Sequence, residues 1–129
     1  MIDTNDLIGL TRAWGAAPGD GSGTVDCCLL AAEIHKRLGY HDYTADIQHF
    51  FDNYNDDTLP ATAIARWLLQ NGRRIREPQP HAIVMLPNTG VGALGTVLDD
   101  GRVLYISEHQ GVVVASLPPT IGHYFLLNK

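Results

Sequence analysis

The apolar residues of this chain change period at Gly72, and that change limits the folds open to it. Upstream they recur at helical spacing. Leu7, Leu10 and Trp14 follow the caps Asp3, Thr4 and Asn5 and predict a helix over 3–14. Asp26 caps a second predicted helix whose stripe is Leu29, Leu30, Ile34 and Leu38, and Gly39 stops it. A third helical piece covers 44–51, and a fourth, marked by Ile64, Leu68 and Leu69, follows Pro60 and ends at Gly72. Downstream the apolar residues gather in short runs at 82–86, 92–98, 102–107, 111–116 and 122–127, with Asp99-Asp100-Gly101 as a hairpin turn. Helices first and strands afterwards predict an α+β fold, with N-terminal helices packed on a C-terminal antiparallel sheet or half-barrel. At 129 residues the chain is expected to be one domain, 1–129.

Charge and composition narrow the function classes. A net charge of −5 argues against a nucleic-acid or anionic-membrane partner. No apolar run reaches the roughly 18 residues of a membrane span. The polar, acidic opening Met1-Ile2-Asp3-Thr4-Asn5-Asp6 is unlike a signal peptide. The six histidines are scattered and form no metal-ligand spacing with Cys27 and Cys28, so neither a metal nor a cofactor is expected. Two adjacent cysteines cannot staple a fold, and the chain reads as reduced. Arg66, Arg73, Arg74 and Arg76 read as a solvated helix end complementing the dipole.

Cys27-Cys28 carries the chemical question. The pair stands where the loop 16–24, with Pro18 and three glycines, runs into the second helix. Backbone N–H groups and the helix dipole stabilise a thiolate at such a start. A nucleophile there needs an imidazole to take its proton and a third polar group to orient that imidazole. The plainer alternative is a pair of small buried residues opening a core helix.

Several pieces in order resemble the NlpC-type cell-wall cysteine peptidases, and especially their bacteriophage tail-associated members. Trp14-Gly15 is similar to the Trp-Gly before that family's glycine-rich loop. Asp26-Cys27 followed by Leu29-Leu30 resembles its nucleophile motif. Residues 94–104 resemble its central hairpin, Gly111-Val112-Val113-Val114 the next strand, and Gly122-His123-Tyr124-Phe125 the closing one. The resemblance implies a papain-like α+β fold with Cys27 at the nucleophile position. It also implies a histidine base where this chain has Ala93, and a polar third group where it has Tyr105. Among substrate-site positions, the usual tyrosine falls on Arg12, beside Trp14 and Asp26, and the glycine of the nucleophile motif is Leu29. The framework corresponds and the chemical positions do not. Losing the base costs such an enzyme several powers of ten, because a thiol with a pKa near ~8.5 stays mostly protonated.

No other residue fills the gap well. His109 shares a strand face with Tyr105 only if the strand runs straight, and then lies about 13 Å beyond it, at ~3.3 Å per residue. Tyr105, with a phenol pKa near ~10, is a poor base. The expectation is therefore a catalytically inactive member of the fold acting as a structural or adaptor part of a phage tail, at its tip or hub. Its partners would be other tail proteins, and its place the virion, after assembly in the host cytoplasm. Phe50, Phe51, Tyr54 and the acidic loop around Asn53, Asp56 and Asp57 are the candidate contact patch. The alternative is an active endopeptidase that cuts peptidoglycan with Cys27.

Overall fold

The computed structural model describes residues 2–86 and 93–129. Asp26 caps α1 (Cys27–Arg37), its carboxylate accepting from the N–H groups of Cys28 and Leu29. Gly39, at φ +87°, closes the helix: its N–H bonds the Lys36 carbonyl, and the Tyr40 N–H bonds that of His35. Next come α2 (Thr44–Asn53) and α3 (Ala61–Asn71), which turn Ile47 and Phe50, and Ile64, Trp67 and Leu68, into the interior. No helix among the described residues is long and apolar enough to cross a membrane.

The remaining chain forms β3 (Gly72–Ile75), β4 (Ile83–Leu86), β5 (Ala93–Val97), β6 (Val103–Ser107), β7 (Gly111–Ala115) and β8 (His123–Leu127). They make one antiparallel six-stranded sheet in the order β3-β8-β4-β5-β6-β7. The fold is α+β, as the change of period predicts.

Strand alternation divides the sheet into two faces. On one face Leu94, Ile83 and Phe125 join Cys27, Leu29, Phe50, Ile64 and Trp67 beneath the helices. Leu98, Leu104 and Val112 continue that face under Leu30 and Ile34 of α1. On the other, Val84, Val97, Val103 and Tyr124 pack with Tyr105, Leu117 and Ile121.

Two expectations are corrected. Residues 3–14 do not form a helix. Residues 5–9 are turns, with Gly9 at φ +87°, and β1 (Thr11–Arg12) then pairs in parallel with β2 (Thr24–Val25). Leu7 is buried among Leu30, Ile34, Leu104 and Val112. The Gly9 N–H bonds the Val112 carbonyl at 2.9 Å, and the Val112 N–H bonds the Leu10 carbonyl at 2.8 Å. Closing the β7 edge thus outweighs local helical spacing. The contact needs a glycine at 111: its φ is +72°, and a Cβ there would lie 2.4 Å from the Leu10 carbonyl oxygen.

The second correction concerns the arginines. Arg73 and Arg74 do not extend a helix end; they lie in β3, in register with Leu126 and Phe125 of β8. The polar stretch has no strand alternation, and pairing with β8 supplies the order its own pattern lacks.

Candidate functional site at the start of helix α1

Asp26 organises the site. It is almost fully buried, and its carboxylate accepts from the Gly15 N–H at 3.2 Å, the Cys28 N–H at 2.8 Å and the Leu29 N–H at 3.4 Å. The Asp26 N–H in turn bonds the Ala16 carbonyl. One side chain therefore ties the Trp14-Gly15 turn to the first turn of α1. Burial pushes the Asp26 carboxyl up, against the pull of these N–H groups and of Arg12.

Cys27 and Cys28 are both buried, at 7% and 2% exposure, and are not disulfide-bonded. The thiol of Cys28 donates to the Cys27 sulfur. That bond lowers the Cys27 thiol, against burial and the Asp26 charge and with help from the Leu94 N–H and Arg12. The same bond and burial push Cys28 well up. Cys27 thus has a thiolate-favouring setting, as a helix start and a nearby guanidinium would supply. No imidazole is among the groups that set its titration.

The structure brings Arg12, Trp14, Asp26 and Cys27 together. Arg12 makes a two-pronged ion pair with Asp56 of the 53–58 loop, which depresses the Asp56 carboxyl. Trp14 stacks edge-on against Phe51, with ring centres 4.8 Å apart, and packs against the cluster that holds Cys27. The Arg12–Asp56 pair was not legible in the sequence, where Asp56 is one carboxylate in an acidic loop.

Of the remaining positions, Ala93 directly precedes Leu94, whose N–H reaches the Cys27 sulfur, while Tyr105 and His109 lie elsewhere. Ala93 opens β5 with its backbone in register with Leu86; its side chain lies outside the described part of the structure. The predicted strand's first residue, Gly92, is likewise outside the described residues. Tyr105 belongs to the sheet face opposite α1, packed near Val97 and Val103. Alternation explains this, because its neighbours Leu104 and Ile106 face the helices. His109 sits in the exposed turn 108–110 between β6 and β7.

The other histidines have partners of their own. His35 donates from Nδ1 to the His41 carbonyl at 2.8 Å, and His41 pairs with Asp46. His49 bonds the Asp46 carbonyl, and His123 accepts from Arg74. His81 bridges the Tyr40 hydroxyl at 2.8 Å and Asp99 at 2.5 Å, from a left-handed backbone at φ +73°. No local sequence signal announces that Tyr40–His81–Asp99 chain.

The expected contact patch is also corrected. Phe50 is 2% exposed in the core and cannot contribute to such a patch, whereas Phe51, packed edge-on against Trp14, and Tyr54 are half-buried. As for a cation, the donor atoms of Asp26, Cys27 and Cys28 lie within 4.8 Å of one another. The Asp26 oxygens already accept from the Gly15, Cys28 and Leu29 N–H groups, so an ion there would compete with those bonds.

No family model matches the chain, and neither do the curated proteins or the solved structures compared with it.

Proposed function

We propose that this chain is a non-catalytic protein of the papain-like NlpC type, working as a structural or adaptor component of a phage tail in contact with other tail proteins. The observation behind this reading is the company of Cys27. Its sulfur is held by the Cys28 thiol and the Leu94 N–H, with Arg12 and Asp26 nearby; no imidazole is among these groups, and the one carboxylate, Asp26, is occupied capping α1 and accepting from the Gly15 N–H. Tyr105, the third position implied by the resemblance, faces the opposite side of the sheet. The helix-start cysteine, the Asp26 tie to Trp14-Gly15 and the backbone of β5 beside the sulfur all fit the order that the resemblance implies. A retained scaffold with an altered chemical centre fits a fold put to another use.

The lowered Cys27 thiol favours a second reading, an endopeptidase that cuts peptidoglycan. The rate of alkylation against pH separates the two. A passive Cys27 reacts slowly, and His109→Ala leaves its profile unchanged. Fast alkylation that persists below about pH 7 and disappears in His109→Ala identifies a thiol–imidazole couple and overturns the proposal.

A further inference from the structure

The two edges of the sheet are treated differently. At β7 the chain covers its own edge, through the Gly9 and Leu10 bonds to Val112. At β3 no described residue does the same. The Asn128 N–H bonds the Asn71 carbonyl, so by antiparallel alternation Arg73 and Ile75 exchange bonds with β8. The N–H and carbonyl of Arg74 then point out of the sheet. Arginine dominates the charge on this edge and just past it, at Arg73, Arg74 and Arg76, ahead of a single carboxylate at Glu77. Among the described residues none of the three pairs with a carboxylate, whereas Arg12, Arg37 and Arg102 all do.

Beside this edge lies a groove of about 420 Å³, lined by Arg74, Ile75, Arg76, Gly122, His123 and Tyr124. Arg74 Nη2 donates to His123 Nδ1 at 2.8 Å, which leaves its other donors for an incoming anion. Gly122 cannot carry a side chain there, since a Cβ would lie 2.1 Å from the Met85 carbonyl oxygen.

We propose that the β3 edge docks an extended acidic segment of a partner protein, added to the sheet as a further strand. The backbone of Arg74 supplies ladder bonds, and Arg74 in β3 and Arg76 just past its end, which both line the groove, meet carboxylates of the incoming segment. Charge complementarity selects the occupant. The chain is net negative, so an acidic segment is repelled over most of its surface and attracted at this edge. The inference names a partner chemistry beyond the adaptor reading and stands on the sheet edge alone, so a catalytic Cys27 would leave it untouched.

The test is the fluorescence anisotropy of a labelled peptide alternating Glu and Val, titrated with the full chain. The wild type binds it, and added salt weakens binding. The Arg74→Gln/Arg76→Gln double variant binds about tenfold more weakly or worse, the scale of a lost charge-assisted hydrogen bond. Arg102→Gln, on the β5–β6 turn, binds as the wild type does. Methylating the peptide's backbone nitrogens abolishes binding. The proposal is overturned by no binding to the wild type, by an unaffected double variant, or by a methylated peptide that binds equally. It is also overturned if inorganic phosphate displaces the peptide at equal concentration, which would identify a small-anion site.

Discussion

The Cys28 thiol donates to the sulfur of Cys27, so two adjacent and chemically identical side chains have opposite roles at the start of α1. One is lowered toward its thiolate; the other is held firmly as a thiol. The asymmetry comes from position. Cys27 meets the Leu94 N–H and the Arg12 charge, while Cys28 supplies the donated proton from deeper burial.

Removing that donor raises the Cys27 thiol. In Cys28→Ala, thiolate ultraviolet absorbance appears at higher pH than in the wild type, and Cys28→Ser, which keeps a hydroxyl donor, restores much of the difference. Unchanged titration in Cys28→Ala would mean that Arg12 and the backbone alone control Cys27.

Asp26 is expected to act on stability before chemistry. Asp26→Ala removes the cap of α1 and the acceptor of the Gly15 N–H, costing about 2 kcal/mol in urea denaturation. Asp26→Asn keeps an acceptor oxygen and costs about 1 kcal/mol. Equal losses would show that the carboxylate charge, not the acceptor geometry, holds the loop.

The helices and most strands were legible because their signals are local. Asp26 and Gly39 bound α1 by capping chemistry, and Asp99-Asp100-Gly101 marks its turn whatever the rest of the chain does. The N-terminal segment was not legible. Leu7, Leu10 and Trp14 are spaced for a helix, yet the backbone bonds from Gly9 and Leu10 go to Val112, a hundred residues away in sequence. Strand β3 was missed for the same reason, since its partner β8 closes the chain. At the site, Asp26 and Cys27 were readable from the cap motif, whereas Arg12–Asp56 and Tyr40–His81–Asp99 depend on loops meeting in space.

His35 sets a pH limit on stability. Burial holds its imidazole below the ordinary 6.5; the His41 carbonyl opposes this, and the neighbouring His41 and His81 reinforce it. As pH falls through about 6.5 the unfolded chain takes up this proton and the folded chain resists it, so stability declines with acidification. The urea midpoint should fall between about pH 7 and pH 5.5, and His35→Gln should flatten that slope. An equal slope in the variant would assign the decline to other groups.

At His81 the usual order of Ala and Gly substitution is predicted to reverse. Both variants lose the bonds to Tyr40 and Asp99, but only alanine retains the cost of φ +73°. His81→Gly should be about 1 kcal/mol more stable than His81→Ala in thermal or urea unfolding. The opposite ranking would mean that the backbone relaxes once the imidazole is gone.

The most direct measurement is a zymogram on purified peptidoglycan with the wild type and Cys27→Ser side by side. With no imidazole among the described groups that set the Cys27 thiol, neither protein is predicted to clear the peptidoglycan. Clearing by the wild type that is lost in Cys27→Ser would contradict the account and make this chain a peptidase.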